Sequence, residues 1–190
     1  PFGRRTWADA HAGYHGALWM TRNLNSVLKL RKPKPEDIDE ITVCYRESSS
    51  IHYPWVYPPK SFQDYLNQDG RYFLCLESTG IIVGTFNLSG IVRGYFQSGF
   101  LGYEVFSPHQ RKGYMTIGLR LLLAEAFSTL NLHRLEANIQ PENIGSIKLV
   151  KSAGFVKEGF SKSYLNIGGY GWKDHERWAI INTSWRNENS

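Results

Sequence analysis

The alternation of apolar and polar positions divides the chain into short strands and a few helices. Apolar, aromatic-rich runs that suit strands occur at residues 72–76, 81–88, 99–106, 134–140, 156–166 and 171–181. Ser78-Thr-Gly80 separates the first two runs, and Ile167-Gly-Gly169 separates the last two. A glycine turn between two such runs predicts a β-hairpin in each case.

Other segments follow the helical period. After the breaker cluster at residues 33–35, Ile38, Ile41 and Tyr45 form the apolar stripe of a helix, and a second short helix fits residues 61–68. A longer helix starts near Met115, with its apolar face formed by Leu119, Leu122, Leu123, Ala126, Phe127 and Leu130. A last helix contains Ile147, Leu149 and Val150 and is closed by Gly154. This order predicts an α/β (α+β) domain around one central sheet.

Length and composition narrow the class of protein. The 190 residues suit one domain, and 42% hydrophobic with 21% charged residues excludes a disordered chain, a fibrous repeat and a disulfide scaffold. No window approaches the roughly 20 apolar residues of a membrane helix. We expect an N-terminal extension at residues 1–25, a single domain at 26–183 and a tail at 184–190.

Charge, cysteines and aromatic residues change this picture only a little. The net charge of +5 favours phosphates, cofactor diphosphates or RNA as partners, although a slightly basic solvated surface explains it equally. Cys44 and Cys75 lie in apolar runs without metal-like spacing, so we expect buried thiols, no metal site and a cytoplasmic protein. The first 20 residues lack the apolar core of a signal peptide.

The segment from Leu101 to Met115 has the most informative chemistry. A strand runs into a short turn and then into an amphipathic helix, whose first N–H groups have no partners within the helix and suit a phosphate or diphosphate. Gly113 lets the backbone approach a ligand closely, and Arg111 and Lys112 add positive charge. An ordinary turn is the alternative, since neither the P-loop nor the three-glycine dinucleotide pattern is present.

Two motifs in this region resemble one enzyme superfamily. Gln110-Arg-Lys-Gly113-Tyr-Met115 resembles the [Arg/Gln]-x-x-Gly-x-[Gly/Ala] acetyl-CoA loop of the GNAT acetyltransferases, and departs from it at Arg111 and Met115. The segment from Asn143 through Ser146 and Leu149 to Gly154-Phe155 resembles their second signature. Further motifs resemble the RimJ-type ribosomal-protein alanine N-acetyltransferases: Pro54-Trp55, Gly84-Thr-Phe-Asn87, Ile91-Val-Arg93-Gly94, Leu101-Gly-Tyr103, His133-Arg134, Lys157-Glu-Gly159 and Trp172-Lys-Asp174-His175.

The resemblance implies a GNAT-like fold, in which a mixed, mostly antiparallel twisted sheet is flanked by helices and a splayed strand pair binds acetyl-CoA. It implies that backbone groups near Val105 and Phe106 pair with the pantetheine arm. Asn143 would contact the same arm, cap its helix, or do both. The diphosphate would be held by the backbone N–H groups of Arg111, Lys112, Gly113, Tyr114 and Met115.

The same resemblance suggests catalytic residues. Many relatives carry a tyrosine after the leucine of the second motif, but Val150 stands there, so Ser146 becomes the candidate donor to the leaving thiolate. Glu104 is the candidate base, acting through water, although alternation along its strand predicts that it faces away from Tyr103 and Val105. A water chain without a dedicated base is the alternative, and Asp174 and His175 are further candidates.

For the acceptor, the resemblance implies a pocket formed by Trp55, Asn87, Arg93, Tyr164 and His175. A core anchor is the alternative role for Trp55. Three functions remain open. The first is acetylation of a protein N-terminal amine, possibly a ribosomal alanine, by a monomer or homodimer. The second is acetylation of an antibiotic, polyamine or amino acid. The third is a ribosome- or RNA-binding assembly factor without essential catalysis, although no basic run or RNA-binding aromatic motif supports it.

Overall fold

The computed structural model describes residues 27–186. The expected extension at residues 1–25 and the last four residues of the expected tail lie outside this range. Seven strands form one sheet: β1 (Leu28–Arg31), β2 (Arg71–Leu76), β3 (Ile82–Val92), β4 (Ser98–Val105), β5 (Arg134–Ile139), β6 (Val156–Asn166) and β7 (Trp172–Ile181). Five α-helices accompany them: α1 (Ile38–Glu47), α2 (Ser49–His52), α3 (Phe62–Leu66), α4 (Tyr114–Ala124) and α5 (Ile144–Ser152).

The sheet has the order β1-β2-β3-β4-β5-β7-β6. Neighbouring strands are antiparallel except for β4 and β5, which run parallel. A parallel pair needs a crossover connection, and α4 with the π-helical turn at Glu125–Thr129 provides it. The prediction of a mixed, mostly antiparallel sheet flanked by helices is therefore confirmed.

The parallel pair separates along its length. Residues Ser98, Gly99 and Phe100 of β4 pair with β5, but β4 continues to Val105 and β5 to Ile139 without further pairing to each other. The two strands therefore open a gap toward their C-terminal ends. Each strand then leads to the N-terminus of a helix, α4 after β4 and α5 after β5, so the gap and both helix N-termini lie at the same end of the sheet.

Alternate strand residues build two separate cores on the two faces of the sheet. The core on the α4 and α5 face contains Leu74, Phe86, Leu119, Leu122 and Leu135 among others. The core on the α1 and α3 face contains Ile41, Tyr45, Tyr65, Phe73, Cys75, Ile82 and Phe106. Phe73, Phe86 and Phe155 are buried as predicted, and Phe127 packs against the first core.

The two cysteines also lie where the sequence placed them, in apolar surroundings. Cys75 is fully buried and Cys44 is half-buried, and both are free thiols. Burial raises the pKa of the Cys44 thiol to about 12, and nearby Glu40 and Glu47 act in the same direction. A thiol of this kind stays protonated and is a poor nucleophile.

Within residues 27–186, no helix combines the length and apolar character needed to cross a membrane.

Helix α4 approaches the sheet most closely at Gly118. A β-carbon at this position would lie 2.6 Å from Leu74 Cδ2 and 2.7 Å from Phe86 Cε2, and both of those side chains are fully buried. We expect Gly118→Ala to lower the free energy of unfolding by about 1–2 kcal/mol, because overpacking outweighs the gain in helix propensity. Urea denaturation measures this. Arg120→Ala, at an exposed position of the same helix, should change stability by less than about 0.5 kcal/mol, and equal stability of both variants would contradict the close approach.

Candidate active site

The gap between β4 and β5 opens into two adjoining cavities. The larger, of about 570 Å³, lies between α2 and the loop that follows it, the end of β4, and the N-termini of α4 and α5. The smaller, of about 170 Å³, lies in the gap itself, between residues 101–104 of β4 and residues 137–140. Both are lined by Trp55, Val56, Tyr103, Glu104, Asn143 and Ser146. The predicted catalytic and cofactor residues Glu104, Asn143 and Ser146 therefore lie together.

The turn before α4 presents unpaired backbone donors to the larger cavity. Gly113 caps the helix with φ +77°, and Arg111 adopts a left-handed φ of +62°. The N–H groups of Thr116 and Ile117 donate to the Gly113 carbonyl, so the first N–H groups of the helix, those of Tyr114 and Met115, have no partner within it. Such donors at the positive end of a helix suit an anionic phosphate.

Two side chains of the same turn have buried polar atoms without partners. His109 Nδ1 and Gln110 Oε1 are buried, make no hydrogen bond and belong to residues that line the larger cavity. Burial lowers the pKa of His109, and the nearby Lys112 ammonium acts in the same direction. Buried polar atoms normally have partners, so these two atoms are available to a polar ligand in the cavity.

Gly113 offers a direct test of the turn. Alanine tolerates φ +77° poorly, so we expect Gly113→Ala to move the amides out of position and to weaken CoA binding about 5- to 30-fold, the equivalent of about 1–2 kcal/mol. Calorimetric titration with CoA measures this. Gly80 is a matched control, because it has φ +79°, lies in a hairpin turn outside the cavity walls and, like Gly113, has open space around its missing β-carbon. Equal affinities of the two variants would contradict the role of the turn.

Ser146 is held at the start of α5 by two contacts. Asn143 Oδ1 accepts a hydrogen bond from the Ser146 N–H at 3.1 Å, so Asn143 is the N-cap of the helix. The Ser146 hydroxyl forms a short hydrogen bond with the phenol of Tyr103 on β4. The cap uses Oδ1 and leaves the Asn143 amide nitrogen available, so capping and the predicted cofactor contact are compatible.

Tyr103 supplies a phenol to the cavities, although the second motif itself contains no tyrosine. Val150, which stands where many relatives carry a tyrosine, is fully buried in the core, whereas Tyr103 lines both cavities. Burial raises the pKa of Tyr103 to about 12, while its hydrogen bond to Ser146 acts in the opposite direction. The phenol is therefore protonated near neutral pH and can donate to Ser146.

Glu104 reaches the gap from the opposite face of the sheet. Tyr103 packs against the core below α4 and α5, whereas Glu104 Oε2 accepts a hydrogen bond from Thr85 on the α1 and α3 side. This agrees with the alternation predicted for the strand. Because the strands are apart at this point, Glu104 and Ser146 line the same cavities although they belong to different faces.

The backbone at the end of β4 is only partly available. The Phe106 N–H donates to the Val83 carbonyl at 2.9 Å, its carbonyl accepts from His109, and its ring is fully buried, so Phe106 is outside the cavity walls and does not fit its predicted cofactor role. Backbone groups of successive residues point to opposite sides, so those of Val105 face away from β3. The Val105 carbonyl accepts from His52 Nε2 at 2.8 Å, which leaves its N–H for a ligand.

The acceptor side of the gap contains further polar groups. His175 is buried, lines the smaller cavity, and donates from Nδ1 to the Lys173 carbonyl at 2.9 Å. In a neutral ring this leaves the lone pair on Nε2. Asn138 lines the same cavity, and its Oδ1 is buried without a partner. Asn138 was not predicted as a site residue, because an asparagine within this apolar strand belongs to none of the motifs identified in the sequence.

Besides Phe106, four predicted site residues lie outside both cavities. Arg93 is exposed and donates to the Leu130 carbonyl at 2.6 Å, which ties it to the far end of α4. Asn87 of β3 pairs with Gly102 of β4. The ring of Tyr164 contacts that of His175, with 6.1 Å between ring centroids, and Lys112 is exposed. The structure therefore does not bring Asn87 or Arg93 to the acceptor pocket, and it places Tyr164 in a supporting position. Asp174 also has a structural contact, since its Oδ1 accepts from the Ser163 N–H at 2.7 Å.

A cluster of aromatic rings lies beside residues that line the smaller cavity. Tyr57 stacks on Tyr170 with 4.6 Å between ring centroids, and Tyr53 contacts Tyr57 edge-on at 6.1 Å. Tyr53 and Tyr170 are exposed, whereas Trp55 and Ile167, which are close to them in the chain, line the cavity. This aromatic rim, formed by Tyr53, Tyr57 and Tyr170, offers a surface for a part of the acceptor that extends beyond the cavity. Within the described residues, no group of acidic, histidine or cysteine side chains could hold a metal ion.

Comparison with known proteins agrees with this geometry. The family profile of the acetyltransferase (GNAT) domain matches residues 28–156. The chain is 39% identical over 123 residues to the probable N-acetyltransferase YjcK of Bacillus subtilis (strain 168), an alignment that covers 64% of this chain and 67% of that protein.

A second relative and a solved structure have more specific names. The chain is 38% identical over 104 residues to the [ribosomal protein uS5]-alanine N-acetyltransferase of Escherichia coli (strain K12), which covers 55% of this chain and 53% of that protein. The crystal structure of the ribosomal-protein-S5-alanine acetyltransferase from Vibrio fischeri superposes with a TM-score of 0.75 at 29% identity, covering 84% of this chain and 96% of that one. The chain thus spans only about half the length of the Escherichia coli relative.

Proposed function

The chain belongs to the GNAT acetyltransferase family, and from this premise we propose that it acetylates the N-terminal amine of a protein, with alanine as the first residue. Transfer of an acetyl group from acetyl-CoA to an amine follows from the family itself. The observation that supports a single amine as acceptor is the charge of the cavity walls. Among the described residues that line either cavity, Glu104 is the only acidic side chain.

The residues of the gap fit acetyl-CoA. The amides of Tyr114 and Met115 would hold its diphosphate, the Val105 N–H would face its pantetheine arm, and the Asn143 amide nitrogen would contact the same arm. His109 Nδ1 and Gln110 Oε1 would gain partners that the protein does not give them. When bound, acetyl-CoA supplies an activated thioester carbonyl, whose reaction with an amine requires removal of one proton and delivery of another.

Glu104 and Ser146 each carry out one of the two proton transfers, and they act from opposite faces of the sheet. Glu104 accepts the proton of the attacking amine, directly or through one water, on the side of Trp55 and the smaller cavity. The Ser146 hydroxyl, held by Tyr103, donates a proton to the leaving thiolate on the α5 side. The acceptor amine therefore loses its proton on one side of the gap, and the leaving thiolate gains a proton on the other side.

The acceptor class follows from charge and shape together. A polyamine carries several ammonium groups, and each needs an acidic partner when it leaves water. The cavity walls offer one carboxylate, which suits one amine. The aromatic rim continues outward from the smaller cavity, so it can contact the residues that follow the N-terminal amine of a peptide. The similarity to a ribosomal-protein alanine acetyltransferase points to the same acceptor class.

The test is a turnover assay with acetyl-CoA against two panels, with mass spectrometry to locate the acetyl group. One panel contains peptides that differ in their first residue, and the other contains spermidine, amino acids and aminoglycosides. We expect turnover on an Ala-starting peptide, acetylation at its α-amine and no product from the same peptide with a blocked N-terminus. Turnover on small amines alone would favour the second function. Salt-sensitive copurification with ribosomes without turnover would favour the third.

A further inference from the structure

A chain of buried hydroxyl groups ends at Glu104. The Tyr45 phenol donates to the Tyr65 phenol at 3.1 Å, and the Tyr65 phenol donates to Thr85 Oγ1 at 3.3 Å. Thr85 in turn donates a short hydrogen bond to Glu104 Oε2. Thr85 is fully buried, and both tyrosines are about 4% exposed. These contacts link α1 and α3 to the carboxylate at the gap.

The direction of the chain is fixed by its last member. Each hydroxyl has a single proton to donate, and an ionised carboxylate can only accept. Every proton in the chain therefore points toward Glu104, and no hydroxyl can reverse without leaving a buried donor unpaired. Thr85 stands directly opposite Glu104 in the pairing of β3 with β4, so the contact follows from the strand register and needs no long, flexible side chain.

A buried cation lies beside the chain of hydroxyl groups. Arg71 is buried, its guanidinium lies 3.7 Å from the centroid of the Tyr65 ring, and within the described residues it has no carboxylate within 4.0 Å. Burial raises the pKa of both Tyr45 and Tyr65, and the Glu104 charge adds to this effect while Arg71 opposes it. The phenols therefore remain protonated donors, and the carboxylate remains the acceptor.

We propose that Thr85, supported by Tyr65 and Tyr45, is a positioning residue for the base: it holds Glu104 Oε2 and leaves Oε1 free to take the proton of the acceptor amine. This inference rests on the proposed function, because it takes acetyl transfer to an amine as the reaction in which Glu104 is the base. The hydrogen bonds from Tyr45 to Glu104 do not depend on which amine is the acceptor.

Other titratable and charged groups lie near this carboxylate or line the same cavities, and the experiment has to separate their effects from that of the hydroxyl chain. The helices α1, α2 and α3 contribute Tyr45, His52 and Tyr65, and the strands β2, β4 and β7 contribute Arg71, Tyr103 and His175. The turn before α4 contributes His109 and Arg111, α4 contributes Tyr114, and α5 contributes Lys148. None of them differs between a valine and a serine at position 85. A comparison of these two variants therefore isolates the Thr85 hydroxyl.

The test compares Thr85→Val, which removes the hydroxyl at nearly constant volume, with Thr85→Ser, which keeps it. We expect Thr85→Val to lower kcat about 10-fold, because the carboxylate loses the donor that holds its Oε2. KM for acetyl-CoA should stay within about 2-fold. Thr85→Ser should restore kcat to within about 3-fold of the original protein, and Tyr65→Phe should lower kcat by less than Thr85→Val does.

A second measurement does not need turnover. The NMR chemical shift of the Glu104 side-chain carboxyl carbon should change in Thr85→Val, because Oε2 loses its donor, and should stay close to the original in Thr85→Ser. Equal chemical shifts in all three proteins, or equal losses of kcat in the valine and serine variants, would overturn the proposal. Absence of turnover by the original protein on every acceptor would count against the proposed function instead, and the chemical shifts would still decide the role of Thr85.

Discussion

Ser146→Ala is expected to lower kcat about 10²-fold or more while leaving the affinity for CoA within about 2-fold, since a positioned acid contributes roughly 10²–10⁴ to the rate. The serine N–H that Asn143 caps belongs to the backbone and survives the substitution. Alanine also favours helices, so α5 should remain intact. Steady-state kinetics at saturating acetyl-CoA, together with calorimetric titration of CoA, separates the chemical step from binding.

Two further variants make this result specific to the hydroxyl at the gap. Tyr103→Phe removes the phenol that holds Ser146 and should cost less, about 10-fold, because the serine proton remains. Ser89→Ala, at an exposed position of β3 outside both cavities, should have no effect on kcat. Full activity of Ser146→Ala would remove the serine as donor and would leave Tyr103 as the nearest group able to protonate the thiolate.

The order of the elements could be predicted because it follows from local periodicity. The hairpin of β2 and β3 and the helix α4 lie where alternation and the helical stripe placed them, and both motifs lie at helix N-termini as the resemblance implied. Element ends were less accurate. Strand β3 extends to Val92, four residues beyond the predicted end, because its last residues are exposed and carry no core pattern. Pairing with β4, and not burial, keeps them extended.

The site was predictable only where its residues are close in sequence. Asn143 and Ser146 are three residues apart, and one turn of α5 brings their contact about. Tyr103 and Ser146 are 43 residues apart, and Thr85 and Glu104 are 19 residues apart, so these contacts depend on sheet order and strand register. The motif that contains Thr85 was recognised, but nothing in its sequence indicated that the threonine faces a carboxylate.

The predicted acceptor pocket shows the same dependence on tertiary structure. Arg93 follows β3 in sequence and looked available, yet its guanidinium caps the carbonyl of Leu130 at the end of the α4 extension. An arginine that pairs with exposed backbone carbonyls cannot be recognised without the tertiary structure. His175, by contrast, lines the smaller cavity, and its role in binding the acceptor stays a prediction.

Glu104→Gln is the second substitution with a large expected effect, a fall in kcat of about 10²–10³-fold at neutral pH. Glutamine has the same shape and can still accept the Thr85 hydrogen bond, but its amide cannot take a proton from the acceptor amine. The loss should narrow as the pH rises above about 8, because a growing fraction of an α-amine is already neutral and needs no base. A pH–rate profile of both proteins on an Ala-starting peptide measures this.

The pH dependence separates a base from a residue that merely supports the fold. A structural defect would lower the rate by a similar factor at every pH, whereas loss of a base is relieved when the acceptor loses its proton to solvent. Glu142→Gln, at an exposed position outside both cavities, controls for the change of charge near α5 and should leave the profile unchanged. If Glu104→Gln keeps full activity at pH 7, His175 becomes the base to test next, because its Nε2 lone pair faces the same small cavity from β7.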